Sequence, residues 1–418
     1  MITRRRRKTR VLGLALAATI SLVGAACGSD DEESDSSASS SVSVAPATDA
    51  PDETDAPVET AAETTAAETT VADTEPADTE PADTEPADTT EAPDTTGGSD
   101  TTPGGEPAEG GTVGLLFDIT GRGDKSFNDA AAAGLDQATT DFGIVGSEST
   151  PTSEGDRAER LQLLVDDGNE LVIGVGFLWT DAITAGSADN PDTNFAIIDS
   201  VVEADNVASL VFAEEQGSFL VGVAAGLKTQ TNKVGFIGGV EIDLIKKFEA
   251  GFIAGVKAAN PDAEILSQYV SQPPDFSGFN DPAKGKEIAA AMYEDGADIV
   301  YSAAGGSGLG AFEAAAEAGE PGDVWAIGVD SDQYELVGEE LQPYILTSML
   351  KKVDVAVYET IGAYAEGNFA AGITVFDLES GGVDYSRSGG FVDDIADQID
   401  EFAQQIISGE IEVPTAPE

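Results

Sequence analysis

The 418-residue chain contains no histidine and only one cysteine, Cys27. Without histidine there can be no Ser-His-Asp triad and no Cys-His dyad, and few routes to a transition-metal site remain. A lone cysteine forms no disulfide within one chain. Basic residues are also scarce, with 20 Lys and Arg against 78 Asp and Glu and a net charge of −58. No basic surface is available to neutralise phosphates, so nucleic acid is not an expected partner. Neither a metal nor a cofactor is expected.

The few cations are unevenly placed. Six lie in residues 1–10, ahead of the apolar, small-residue run Val11 to Ala26. That is the layout of a bacterial export signal, and the run is short for a permanent membrane span. Cys27 follows Gly24-Ala25-Ala26 and resembles the acylated cysteine of a lipobox, although Gly24 stands where Leu, Val or Ile is usual. Residues 1–27 are therefore expected to be a lipoprotein signal, with the mature chain anchored by lipid on the outer face of the cell membrane. Ordinary secretion with a free thiol is the alternative. Residues 28–110 hold 24 acidic side chains, no Lys or Arg and no aromatic residue, with Ala-Asp-Thr-Glu-Pro three times in a row from Ala72. Such a segment cannot bury enough apolar surface to offset its chain entropy, and it is expected to be a disordered tether. As a flexible coil it would reach roughly 50 Å.

The remaining 308 residues carry 54 acidic and 14 basic side chains. Short apolar runs alternate there with helical patterns, which predicts parallel α/β layers. Strands are expected at 113–117, 171–175, 195–198, 207–212, 233–237, 265–270, 299–302, 324–329 and 345–347. Helices are expected at 127–141, 156–166, 215–229, 242–259, 282–295, 310–318, 353–366 and about 391–407. This length is near the limit for one core, so two lobes are expected. Residues 111–230 plus 349–418 would form the first and 231–348 the second, with a hinge at crossings near 230 and 345 and a cleft between them.

Ligands of open α/β sheets bind outside the carboxyl ends of the strands. The stretch GTVGLLFDITGRGDKSFND (111–129) places Asp118, Phe127 and Asn128 there: an acceptor, a flat apolar face and an amide that both donates and accepts. Two of these also have a plainer reading, Phe127 as a core anchor and Asp118 as a helix cap or turn-former. Asp199 ends a later strand with the same ambiguity, and Asp330 ends another, where an inter-lobe salt bridge with Lys351 is the plainer reading. Gly305-Gly306-Ser307-Gly308 follows a strand but lacks the Gly-Lys-Ser/Thr ending of a P-loop; a close backbone approach to a ligand, nearest at Gly306, is expected instead. Trp179 is a candidate for the mouth or for the core.

The segments FDITGRGDKSFND, LVIGVGF, NPDTNFAIID, NVASLVFAEEQGSFLVGVAAG, KVGFIGGVE, GFNDPAKGKEIA, GVDSDQ and TSMLKKVD resemble the basic membrane protein family of substrate-binding lipoproteins. The likeness spans almost all of residues 111–367. It implies a type I periplasmic-binding-protein fold, no enzymatic chemistry, and service to an ABC transporter permease with a purine nucleoside as ligand. By that likeness Phe127 and Phe279 sandwich the base, while Asp330 and Lys351 hold the ribose hydroxyls. Phe276 and Phe248 are alternative second rings, and Lys352 could replace Lys351. A nucleoside hydrolase and a ligand sensor remain alternatives on the same fold.

Overall fold

The computed structural model describes residues 110–417. The export signal, Cys27 and the acidic stretch up to residue 109 lie outside the described residues. Twelve strands and ten α-helices follow in the described part. The first sheet begins with β1 (Thr112–Leu116), α1 (Phe127–Phe142), β2 (Val145–Ser149), α2 (Arg157–Asp166), β3 (Leu171–Gly174), α3 (Thr180–Asp189), β4 (Asn194–Ile198), β5 (Val207–Phe212) and α4 (Glu214–Lys228). The second has β6 (Lys233–Val240), α5 (Asp243–Ala259), β7 (Glu264–Ser271), α6 (Pro282–Glu294), β8 (Ile299–Ala303), α7 (Gly308–Ala318), β9 (Trp325–Asp330), α8 (Gln333–Leu336) and β10 (Ile345–Lys351). The chain ends with α9 (Val353–Ala365), β11 (Gly372–Phe376), β12 (Val383–Tyr385) and α10 (Ala396–Ile407).

The two sheets have the same plan. Their strand orders are β11-β5-β4-β3-β1-β2 and β12-β10-β9-β8-β6-β7, so β6 to β10 each correspond to the strand five earlier, and β12 takes the edge place of β11. All pairings are parallel except β12 against β10. The central strands β3 and β8 are buried at every residue, as expected for a sheet covered by helices on both faces.

The chain crosses between the sheets three times rather than at the two expected points. Lys351 still belongs to the second sheet, and after β11 joins the first sheet the chain returns as β12. The C-terminal part is therefore shared by both lobes, and the expected assignment of all of 349–418 to the first lobe does not describe the pairing. The strands without an expectation are β2, β11 and β12. The first two are sheet edges with mostly exposed side chains; β2 carries no apolar run to read, whereas β11 has Ile373, Val375 and Phe376 and was missed. The final helix starts at Ala396, after the turn at 388–390, instead of at Phe391.

The lobes are clamped together by α4 and α5, which pack backbone to backbone. A Cβ at Gly251 would overlap the carbonyl oxygen of Glu215, and one at Gly255 that of Phe219. Only glycine permits this approach.

Candidate functional site

The C-terminal ends of the strands in both sheets face a cleft of about 650 Å³, counted to its open mouth. Its walls bring together seven candidates from the sequence: Asp118, Phe127, Asn128 and Asp199 from the first lobe, and Phe279, Asp330 and Lys351 from the second. Gly306 is not in the wall. Its neighbour Gly305 is, while Gly306 turns toward Asn280, whose Oδ1 would lie 3.1 Å from a Cβ there.

The first wall is built by the loop between β1 and α1. The side chain of Asp124 accepts from the backbone N–H groups of Ser126, Asn128 and Asp129 at 3.0, 2.8 and 3.1 Å, satisfying donors that the start of α1 leaves free. The capping role considered for Asp118 thus belongs to Asp124, which sequence reasoning missed although Asp-x-x-x-Asn before a helix was the available signal. Asn128 Oδ1 accepts from the Asp118 backbone at 2.9 Å, and Asn128 Nδ2 donates to Asp124 at 2.9 Å. Much of the Asn128 amide is therefore spent in tying the loop together.

Asp118 is 8% exposed, and burial pushes its carboxyl up to about 7 against the opposing pull of Arg157, whose Nη2 lies 3.4 Å away. Trp179 does not line the cleft. It is fully buried and donates from Nε1 to the Phe117 carbonyl at 3.0 Å. A ring of that size packs against the core behind β1 more readily than it faces water.

Four aromatic rings line the cleft: Phe127 and Phe177 from one lobe, Phe248 and Phe279 from the other. Phe276 is not among them. It meets Phe177 edge-on at 5.8 Å between ring centres and lines the neighbouring crevice at the lobe boundary.

The opposite end of the cleft is polar. Asp199, just after β4, and Asp330, the last residue of β9, both have left-handed backbones with φ of 65° and 64°. Aspartate tolerates this region, and such positions tend to occur at functional sites. Lys351 is 2% exposed, and its Nζ donates to Asp199 Oδ2 at 2.6 Å. It has no ion pair with Asp330, which instead accepts from Ser126 Oγ of the other lobe at 2.5 Å. Asp199 Oδ1 is buried without a hydrogen-bond partner. Burial raises both carboxyls, Asp330 to about 6, with Lys351 opposing in each case. Burial works to lower the Lys351 ammonium, but Asp199, Glu214 and Asp330 together hold it above the usual lysine value. Lys352 points to Asp384 at 3.9 Å and is not in the cleft wall.

The family profile of PnrA-like ABC transporter substrate-binding proteins matches residues 112–416. A CD4+ T-cell-stimulating antigen of Listeria monocytogenes is 37% identical over 326 residues, covering 73% of this chain and 88% of that protein. The ABC transporter nucleoside-binding protein BmpA of Lactococcus lactis is 36% identical over 316 residues, covering 72% and 88%. An ABC transporter solute-binding protein from Aeropyrum pernix superposes with a TM-score of 0.65 at 31% identity, over 73% of this chain and 94% of that one. The paired, parallel-sheet lobes are those of a type I periplasmic-binding-protein fold, and with that sequence match the chain belongs to the Bmp family of PnrA-like ABC transporter substrate-binding proteins, which bind rather than catalyse.

Proposed function

We propose that the protein captures a purine nucleoside outside the cell membrane, tethered by lipid on Cys27, and delivers it to an ABC permease. The observation that carries this reading is the cleft itself. Phe127 and Phe279 reach one cavity from opposite lobes, while the buried, unpartnered Oδ1 of Asp199 stands at its polar end beside Asp330 and Lys351. A planar base fits between rings, which gains roughly 1–3 kcal/mol per stacked base in nucleic-acid complexes. Vicinal hydroxyls suit carboxylate acceptors flanked by an ammonium donor. The nucleoside-binding relative from Lactococcus lactis supports the ligand class. Among the described residues no helix is long and apolar enough to cross a membrane, and the anchor is assigned to Cys27 on the lipobox-like sequence before it.

Calorimetric titration with inosine, guanosine, adenosine, uridine, hypoxanthine and ribose tests the ligand. Purine nucleosides should bind more tightly than the free base or the free sugar. An equal response to all six, or none, overturns the reading. Cys27→Ser tests the anchor: the variant should leave the membrane fraction, and its retention there would refute lipidation.

A further inference from the structure

Glu214 opens α4 behind the cleft wall and is 1% exposed. Its Oε1 stands 3.4 Å from Lys351 Nζ, and its Oε2 stands 3.0 Å from Lys247 Nζ. Two buried acids of the first lobe, Asp199 and Glu214, thus meet two lysines of the second. The start of α4 favours a carboxylate by the direction of the helix dipole. The carboxylate of Glu214 does not line the cleft, so any effect on a ligand must pass through Lys351.

A lysine ammonium carries three N–H donors on a flexible stem, and one ion pair leaves it free to swivel about that contact. Asp199 supplies one contact and Glu214 supplies a second from a different direction. The Phe127 ring, whose centre is 5.0 Å from Lys351 Nζ, marks the side on which the cleft lies. The separation of Glu214 and Lys247 is set by backbone, because α5 meets the first turn of α4 at Gly251. Lys247 also holds its ammonium 3.5 Å from the Phe212 carbonyl and offsets the charge of Glu214.

We infer that Glu214 is a positioning residue that orients the Lys351 ammonium, so that its remaining donor is presented to the hydroxyls of the ligand sugar. The inference rests on the nucleoside reading of the cleft. The groups that face Lys351 are Asp199 and Glu214 from the first lobe and Asp330 from the second, with Lys247 behind Glu214.

The test compares full-length wild type with Glu214→Gln, which keeps shape and removes charge. In 15N-lysine-labelled protein the Lys351 ammonium, identified by its loss in Lys351→Arg, should give a slowly exchanging signal in the wild type. Glu214→Gln should broaden it through faster exchange. Calorimetry should show at least tenfold weaker inosine binding in Glu214→Gln but less than twofold change for 2′,3′-dideoxyinosine, which lacks the hydroxyls. An unmoved ammonium signal, or an equal loss for both ligands, overturns the inference. Wild type that ignores inosine would sink the nucleoside reading, while the ammonium signal would still decide whether Glu214 orients Lys351. Should Glu214→Gln fail to fold, Lys247→Met serves: Glu214 then has Lys351 as its one close cation, and the ammonium exchange should slow rather than quicken. No change in that variant also overturns the inference.

Discussion

Asp199 and Asp330 occupy equivalent places in the two lobes and live in different surroundings. Each closes the fourth strand of its sheet, each is followed by serine, and each takes a left-handed backbone. Asp199 is bound by a buried ammonium and keeps one oxygen without a partner, whereas Asp330 is held by a serine hydroxyl from across the cleft. The repeated fold supplies two matching carboxylates at the mouths of two sheets. Both contacts join the lobes, but the neighbours make one an ionic network that includes Glu214 on α4 and Lys247 on α5, and the other a hydroxyl bond from the loop before α1. A symmetric scaffold becomes suited to an asymmetric guest by this difference.

The strongest way to break the comparison is Lys351→Met, which leaves Asp199 and Glu214 buried without their shared cation. Removing one partner of a buried pair typically costs about 3–5 kcal/mol, read here as a lower urea midpoint at unchanged slope. A loss below about 1 kcal/mol would mean that the two acids are not balanced by this lysine.

The next is a pH experiment on Asp330. Its folded-state value is raised to about 6 from 3.8, chiefly by burial. A carboxyl raised in the folded state contributes stability that is present below its unfolded value and is lost as pH rises through its folded value. Asp330→Asn stays neutral throughout, so relative to wild type it should gain about 3 kcal/mol between pH 4 and pH 7, two pH units being worth roughly that much. A constant difference across that window would show that Asp330 meets water in the folded protein.

Much of this arrangement is legible in the sequence, because its causes are local. The apolar runs behind β1, β3, β4, β5, β6, β8 and β9 are buried on both faces and have to be continuous, so their carboxyl ends could be found and Asp118, Asp199 and Asp330 with them. The pairing of side chains was not legible. Lys351 and Asp330 sit on the neighbouring strands β10 and β9, yet the ion pairs of the ammonium are with Asp199 and Glu214 of the other lobe, a contact across lobes that no spacing in the sequence reveals. Glu214 shows how little a charged residue at a helix start reveals: exposure is the ordinary outcome there, yet here it is 1% exposed between Lys247 and Lys351, where α5 meets α4. Trp179 illustrates the converse, an aromatic beside a ligand loop whose indole is consumed by the Phe117 carbonyl.

Ser126→Ala sharpens the comparison from the other half. The hydroxyl is fully buried and donates to Asp330, and hydrogen bonds to charged groups contribute about 1.5–3 kcal/mol. Because this bond joins the lobes, the loss should appear in closure as well as in stability. Small-angle scattering of ligand-free Ser126→Ala should give a larger radius of gyration than wild type. An unchanged radius would mean that the remaining bonds across this lip, Ser331 to the Ser126 carbonyl at 3.0 Å and Gln333 to the Lys125 carbonyl at 3.0 Å, are sufficient to hold it.

The smallest effect separates the rings. Phe127 shares the cleft with Asp330 and Lys351, while Phe276 faces the crevice beside it. Phe127→Ala should weaken inosine binding about tenfold, equivalent to about 1.4 kcal/mol. Phe276→Ala should change it less than twofold, because its ring lines the neighbouring crevice and meets the cleft wall from behind, at Phe177, although the edge-on pair it loses contributes about 0.5–1.5 kcal/mol to the contact between the lobes. Equal losses in calorimetry would mean that lobe contact, and not stacking on Phe127, sets affinity.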